Sequence, residues 1–167
     1  MSRLYLVRHA KAGWAMPGVR DFDRPLDASG IADAETLGAA MRAGRHVPDL
    51  TICSNALRAR ETLAGLAANA DTGRVVFTDV LYSGDANSYL ATIRENGARG
   101  SLLLIGHNPM MEDLALAVSG DGDETARATL AYGFPTCGLA AIRFEGSLGE
   151  ARLGSGYLEV FLTPAEM

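Results

Sequence analysis

The sequence predicts an α/β protein of three layers, α/β/α, with a mainly parallel central sheet and an antiparallel C-terminal hairpin. Three observations predict it. Short, continuous apolar runs recur along the chain, as expected of strands buried on both faces. Helical periodicity fills the intervals between them, the alternation that builds parallel βαβ units. From Gly138 onward the pattern changes to two apolar or alternating runs on either side of a glycine-rich turn, which reads as a hairpin.

The first strand covers residues 3 to 7, Arg3-Leu4-Tyr5-Leu6-Val7, and reads as buried. Residues 18 to 29 read as a loop. A helix runs from about Ala28 to Ala43, with Ile31, Ala34, Leu37, Ala40 and Met41 near one face. Asp27 or Ser29 stands where its N-cap belongs and Gly44 where its C-cap belongs. Leu50-Thr51-Ile52-Cys53, Arg74-Val75-Val76-Phe77 and Ser101-Leu102-Leu103-Leu104-Ile105 repeat the character of the first run and give buried strands two, three and four. Further helices are predicted over Leu57 to Ala68, about Ala86 to Gly97, and Met110 to Val118. Gly138 to Phe144 and Tyr157 to Leu162 form the two arms of the hairpin.

A chain of 167 residues can bury a substantial core and has the length of one domain, so residues 1–167 are read as a single unit. Its net charge of −5 argues against nucleic acid as a partner and makes any cationic cluster a local feature. The N-terminus shows no long apolar stretch of the signal-peptide kind, and no run approaches membrane-spanning length. The expectation is a cytoplasmic protein without a membrane partner. Cys53 and Cys137 sit in apolar, strand-like settings and read as two buried thiols.

In open α/β sheets ligands gather beyond the carboxyl ends of the strands. Here the first strand ends in Arg8-His9, the second in Ser54-Asn55-Ala56-Leu57-Arg58-Ala59-Arg60, and the fourth in Gly106-His107-Asn108-Pro109. Two of the three histidines thus fall directly after predicted parallel strands, with Arg8 and Arg58 beside them. Guanidinium forks match phosphate oxygens and stay charged at all working pH values. A neutral imidazole can attack phosphorus and split one difficult displacement into two easier ones. His9, at the tip of the first strand, is the better nucleophile, and His107 can donate to the oxygens as charge spreads in the transition state. A metal site would want further ligands at suitable spacing, but neither a His-x-His nor a Cys-x-x-Cys group occurs, so no metal or other cofactor is expected. Arg60 reads as solvated, and His46, beside Val47-Pro48, as a loop histidine.

The segments "LVRHAKAGW", "DRPLDASGIADAETLG", "SNALRARETL", "LLLIGHNPMMEDLA" and "FPTCGLAAIRF" together resemble the histidine phosphatase superfamily, also called phosphoglycerate mutase-like. Within it they are most similar to the SixA-type phosphohistidine phosphatases. The resemblance runs in order from about residue 3 to residue 144. It implies the phosphoglycerate mutase-like fold and a reaction without a cofactor. It also implies His9 as nucleophile, with Arg8, Arg58 and His107 completing a phosphate pocket. In "SNALRARETL" it is Arg58, not Arg60, that matches the family's pocket arginine. Arg24, in "DRPL", lies in a loop that similar proteins use near the phosphate. Lys11 and Asn108, close to His9 and His107 in sequence, join it as substrate-binding candidates.

One departure bears on the substrate. Mutases and many phosphomonoesterases of this superfamily protonate the leaving alcohol with a carboxylic acid after the third strand, whereas Asp79-Val80-Leu81-Tyr82-Ser83-Gly84-Asp85 holds no glutamate. An alkoxide needs that proton; an imidazole leaving from phosphohistidine needs less help. Asp85 and Asp23 are the weaker candidate acids. The chain is therefore expected to remove phosphate from a phosphorylated histidine on a partner protein. The alternatives are a phosphatase of small phosphoesters, such as sugar or nucleotide phosphates, and a module that binds phosphorylated partners without turnover. An intact His9 argues against the last.

Overall fold

The computed structural model describes the backbone of residues 1–167 and every side chain but that of Arg99. One seven-stranded sheet runs through it in the order β3-β2-β4-β1-β6-β7-β5. The strands are β1 (Ser2–Arg8), β2 (Leu50–Ser54), β3 (Arg74–Thr78), β4 (Leu102–Gly106), β5 (Ser119–Gly122), β6 (Leu139–Phe144) and β7 (Gly156–Leu162). β1, β2, β3 and β4 pair in parallel. β6 lies antiparallel to both β1 and β7, as the predicted hairpin requires, while β5 adds a parallel edge to β7.

The sheet's two faces carry separate cores. Along β1 the side chains alternate, so Leu4 and Leu6 join one core and Tyr5 and Val7 the other. Helices α1 (Ala28–Ala43) and α2 (Leu57–Ala67) cover the second core with Leu37, Met41, Leu63 and Leu66. Helices α4 (Ala86–Glu95), α5 (Met110–Val118) and α6 (Glu124–Ala131) cover the first, through residues such as Ile93, Leu114 and Leu130. A four-residue α3 (Val80–Ser83) lies between β3 and α4. Fully burying one such leucine or isoleucine stabilises the fold by about 2 kcal/mol. Burial therefore outweighs helix propensity in placing these elements.

The strands, the first helices and the hairpin fall within a few residues of their predicted places. Three differences have physical causes. Ile31, predicted to face the core, is 46% exposed, because α1 buries Gly30, Ala34, Leu37, Gly38 and Met41 instead. This small-residue face lets α1 approach α2 closely: a Cβ on Gly38 would stand 2.6 Å from the Leu66 carbonyl oxygen. The third strand, predicted as buried, is the sheet's edge, and Val75, Val76 and Phe77 are 36, 38 and 45% exposed. An apolar run marks a strand but not whether neighbours cover it, and Phe77 is met by the Arg60 guanidinium at 5.5 Å. β5 and α6, finally, were not marked by apolar runs; β5, Ser-Gly-Asp-Gly, is made by pairing with β7, and α6 starts where Asp123 caps the Ala126 amide.

Asp27, of the two candidates, is the N-cap of α1, its side chain accepting from the Gly30 amide at 2.7 Å. Gly44 is the C-cap, but it has helical φ, and the left-handed residue is Arg45. Cys53 and Cys137 are buried free thiols, both pushed up to about 12 by burial.

Candidate active site

The carboxyl end of β1 is pinned from three sides. The His9 amide donates to the Gly106 carbonyl of β4 at 3.0 Å, and the Cys137 amide donates back to the Arg8 carbonyl at 3.0 Å. The Ala10 amide donates to Thr62 Oγ1 (2.9 Å), whose own hydroxyl donates to the Arg58 carbonyl (2.7 Å). A buried threonine thus ties the tip of β1 to the first turn of α2, which carries Arg58. On the far side, Tyr89 accepts from the His107 amide at 3.1 Å and donates to the Leu81 carbonyl. Gly106 makes room for that phenol: a Cβ there would stand 2.6 Å from the Tyr89 oxygen.

His9 and His107 come together with ring centroids 5.1 Å apart. His9 Nδ1 lies 2.7 Å from the Ala10 carbonyl. A carbonyl only accepts, so Nδ1 carries the proton and Nε2 keeps its lone pair. Burial, with the Arg58, Arg8 and Arg24 charges adding to it, lowers His9 to about 4 against the opposing pull of the Ala10 carbonyl. The ring is therefore neutral at pH 7. His107 is buried too, and burial together with the charges around it lowers it to about 3. Its Nε2 meets Ser54 Oγ at 2.8 Å, while Ser54 Oγ accepts from the Ala56 amide at 3.2 Å. Giving the serine proton to Nε2 leaves neither group unpaired and places a proton on Nδ1, a buried atom with no partner among the described residues.

Asp21, which the sequence patterns did not single out, organises the arginines. Arg58 donates through Nη1 to the Asp21 carbonyl (2.7 Å) and through Nη2 to its carboxylate (3.0 Å). Arg24 Nη1 takes the other carboxylate oxygen at 3.0 Å, and its Nη2 reaches the Gly13 carbonyl at 2.8 Å. Tyr82 donates its hydroxyl to Asp21 Oδ2 at 2.9 Å and sets its ring 5.5 Å from His107, edge on. Partial burial alone would raise the Asp21 carboxyl; hydrogen bonds from Tyr82, Arg24 and Arg58 outweigh it and hold the group at about 2. Asp21 is a fixed anion, and it aligns two guanidiniums. Arg8 is anchored opposite by its Nη1 on the Phe134 carbonyl (3.0 Å), the oxygen that Asn108 Nδ2 also takes at 2.9 Å.

The predicted residues therefore divide. Arg8, His9, Arg58 and His107 converge, with Arg24 and Asn108 linked to them through Asp21 and Phe134. Lys11 turns to Asp27 at 3.9 Å, at the N-terminus of α1. Asp85 caps α4 by accepting from the Ser88 amide at 2.8 Å, and those bonds lower its carboxyl. Asp23 pairs with Arg20 at 2.9 Å on the surface. Arg60 lies over Phe77 and His46 meets Tyr5 edge-on, away from the pocket. Among the described residues, no three His, Cys, Asp or Glu side chains cluster to hold a metal, and no helix is long and apolar enough to cross a membrane.

Residues 4–81 match the family model of the histidine phosphatase superfamily, branch 1. A solved structure from Agrobacterium tumefaciens, provisionally named the phosphohistidine phosphatase SixA, is 37% identical, covers 98% of this chain and 99% of its own, and superposes with a TM-score of 0.83. This chain belongs to the histidine phosphatase superfamily and is of the SixA type. An uncharacterised Mycobacterium tuberculosis protein is 32% identical to this superfamily member over 95% of the chain and 99% of its own length. The protein histidine phosphatase SixA solved with tungstate, 18% identical over 98% of this chain and 97% of its own, shares the fold at a TM-score of 0.76. The family match and the pocket assembled at the strand ends make this chain a phosphatase of that superfamily.

Proposed function

We propose that the protein removes phosphate from a phosphorylated histidine on a partner protein by way of a phosphohistidine formed on His9. The observation that carries this is the 2.7 Å contact of His9 Nδ1 with the Ala10 carbonyl in a pocket that keeps the ring neutral. It leaves Nε2 as the one free nucleophilic nitrogen of that ring. Nε2 attacks phosphorus, the bond from phosphorus to the leaving nitrogen breaks, and the positive charge that grows on the His9 ring is met by the Ala10 carbonyl. Arg8 and Arg58 neutralise the phosphoryl oxygens, and His107 Nδ1 donates to one of them. Water then attacks the phosphoenzyme, and His9 leaves as the neutral base.

The choice of phosphohistidine rests on what protonates the departing group. Asp21 stays ionised, Asp85 caps a helix and Asp23 lies in a surface pair. None is a carboxylic acid poised for an alkoxide, while a nitrogen leaving group makes little demand for one. The family's SixA-named structure from Agrobacterium supports the same substrate. Incubation with a labelled phosphohistidine protein tests the reading: acid-labile label is expected on the wild type and none on His9→Ala. Turnover by His9→Ala at the wild-type rate would refute the covalent step.

A further inference from the structure

Arg8 also lines a groove beside the phosphate pocket. The groove, of about 670 Å³, opens from Arg8 and Asn108 along Phe134 and past Tyr132, toward Asp33 and Glu112. It shares Thr129 and Tyr132 with a smaller cleft that continues to Glu124 and Glu166. Among the described residues lining the two, Arg8 is the only cation, and the four charged groups beyond it are all carboxylates. Tyr132, a large aromatic side chain, stands 97% exposed where the two clefts join. Volume alone does not distinguish the groove, for a cleft of about 770 Å³ lies beside the β6–β7 turn among Arg94, Arg152 and Glu150, away from both histidines. What distinguishes it is that Arg8, the arginine that the phosphoryl group would meet, and Asn108, next to His107, line it.

From this geometry we infer that the groove is the docking surface for the polypeptide that carries the phosphoryl group, and that it selects segments with lysine or arginine near the phosphorylated residue. This rests on the phosphohistidine reading above and adds what the partner's flank must be. The pocket itself is cationic, whereas a segment lying along the groove meets the carboxylates of Asp33, Glu112, Glu124 and Glu166. A segment with one phosphoryl group and basic neighbours matches both halves. Its phosphate faces Arg8 and Arg58, its cations face Asp33, Glu124 and Glu166, and a guanidinium can lie on the exposed ring of Tyr132. Asp33, Glu124 and Glu166 form no ion pair among the described residues. Glu112 has a second task, since its Oε1 accepts the Phe134 amide at 2.8 Å, and it is left out of the test.

The test uses four phosphopeptides of one length, phosphohistidine or phosphotyrosine, each with a Lys-Arg or a Glu-Glu flank. Every kcat/KM is divided by the same enzyme's rate on p-nitrophenyl phosphate, so that a general loss of activity cancels. The wild type is expected to prefer the basic flank by about tenfold at low salt, as a few exposed charge pairs would give, and less as salt rises. In the triple variant Asp33→Asn/Glu124→Gln/Glu166→Gln the preference should fall toward one, and Tyr132→Ala should weaken it. Equal rates for the two flanks, or a preference that survives the triple variant, would overturn the docking assignment. Flank selection on phosphotyrosine with phosphohistidine left untouched would defeat the proposed substrate yet sustain the groove; no turnover of any peptide would defeat both.

Discussion

Acidification from pH 7 to 4.5 should unfold this protein through its pocket histidines. His9 and His107 are held neutral at about 4 and about 3 in the folded chain, against about 6.5 in an unfolded one. Their folded values are depressed, so the unfolded chain binds protons first as pH falls below 6.5, and stability declines from there. Once both are protonated in the unfolded state and neutral in the folded one, two protons separate the states. The slope then approaches about 2.7 kcal/mol per pH unit, twice the 1.36 kcal/mol that one proton contributes. Over the whole interval the loss is about 5 kcal/mol, comparable to the entire stability of many domains. Carboxylates add little above pH 4.5: Asp21, at about 2 against 3.8 unfolded, and the likewise lowered Asp27 and Asp85 lose their contributions mainly below the unfolded value and in the same direction. His46, also lowered by burial, adds in the same direction. Urea unfolding at half-unit pH steps measures the slope, and His9→Gln and His107→Asn should each remove about half of the pocket's share. A stability that stays flat from pH 6 to 4.5, or a slope unchanged in the double variant, would refute the claim that these rings are buried neutral.

Other expectations follow from the same contacts. Arg58→Ala and His107→Ala should each lower kcat/KM by about a hundredfold or more, as lost oxyanion donors do. Arg60→Ala should change it little, because Arg60 only covers Phe77; equal losses at the two arginines would count against the assignment. Asp21→Asn should depress kcat by about tenfold or more, and Asp85→Asn should not, since the first loosens Arg58 and Arg24 while the second frees only a helix cap. In a leaving-group series, rates should fall steeply from phosphoramidate and aryl phosphate to alkyl phosphate; a flat series would reveal an efficient acid and favour small phosphoesters.

The strand-end residues were legible because two rules acted on the same positions. Apolar runs located the strands, and the carboxyl-end rule said where to look, so Arg8, His9, Arg58 and His107 stood out together. Asp21 and Tyr82 did not, for different reasons. An aspartate among cations reads as surface charge when its partners, Arg24 and Arg58, are separated from each other by 34 residues of sequence. Tyr82 lies in the stretch searched for a glutamate, and a phenol there signals nothing until α3 brings it onto Asp21. Ser54 hid at the end of a strand whose other residues are core. The misphased face of α1 has a further cause: Gly30 and Gly38 carry no apolar side chain, so periodicity could not register the face they define.

The exposed edge strand offers a way to watch the pocket from outside. β3 leads straight into α3, where Tyr82 is bonded to the Asp21 that holds Arg58, so ordering those guanidiniums around an oxyanion also steadies the end of an otherwise lightly covered strand. The amides of Val76 and Thr78, which face β2, should therefore exchange with deuterated solvent more slowly when vanadate fills the pocket than when it is empty. Slow exchange at the rim of the sheet becomes a spectator signal for occupancy, readable in a variant too impaired to turn substrate over.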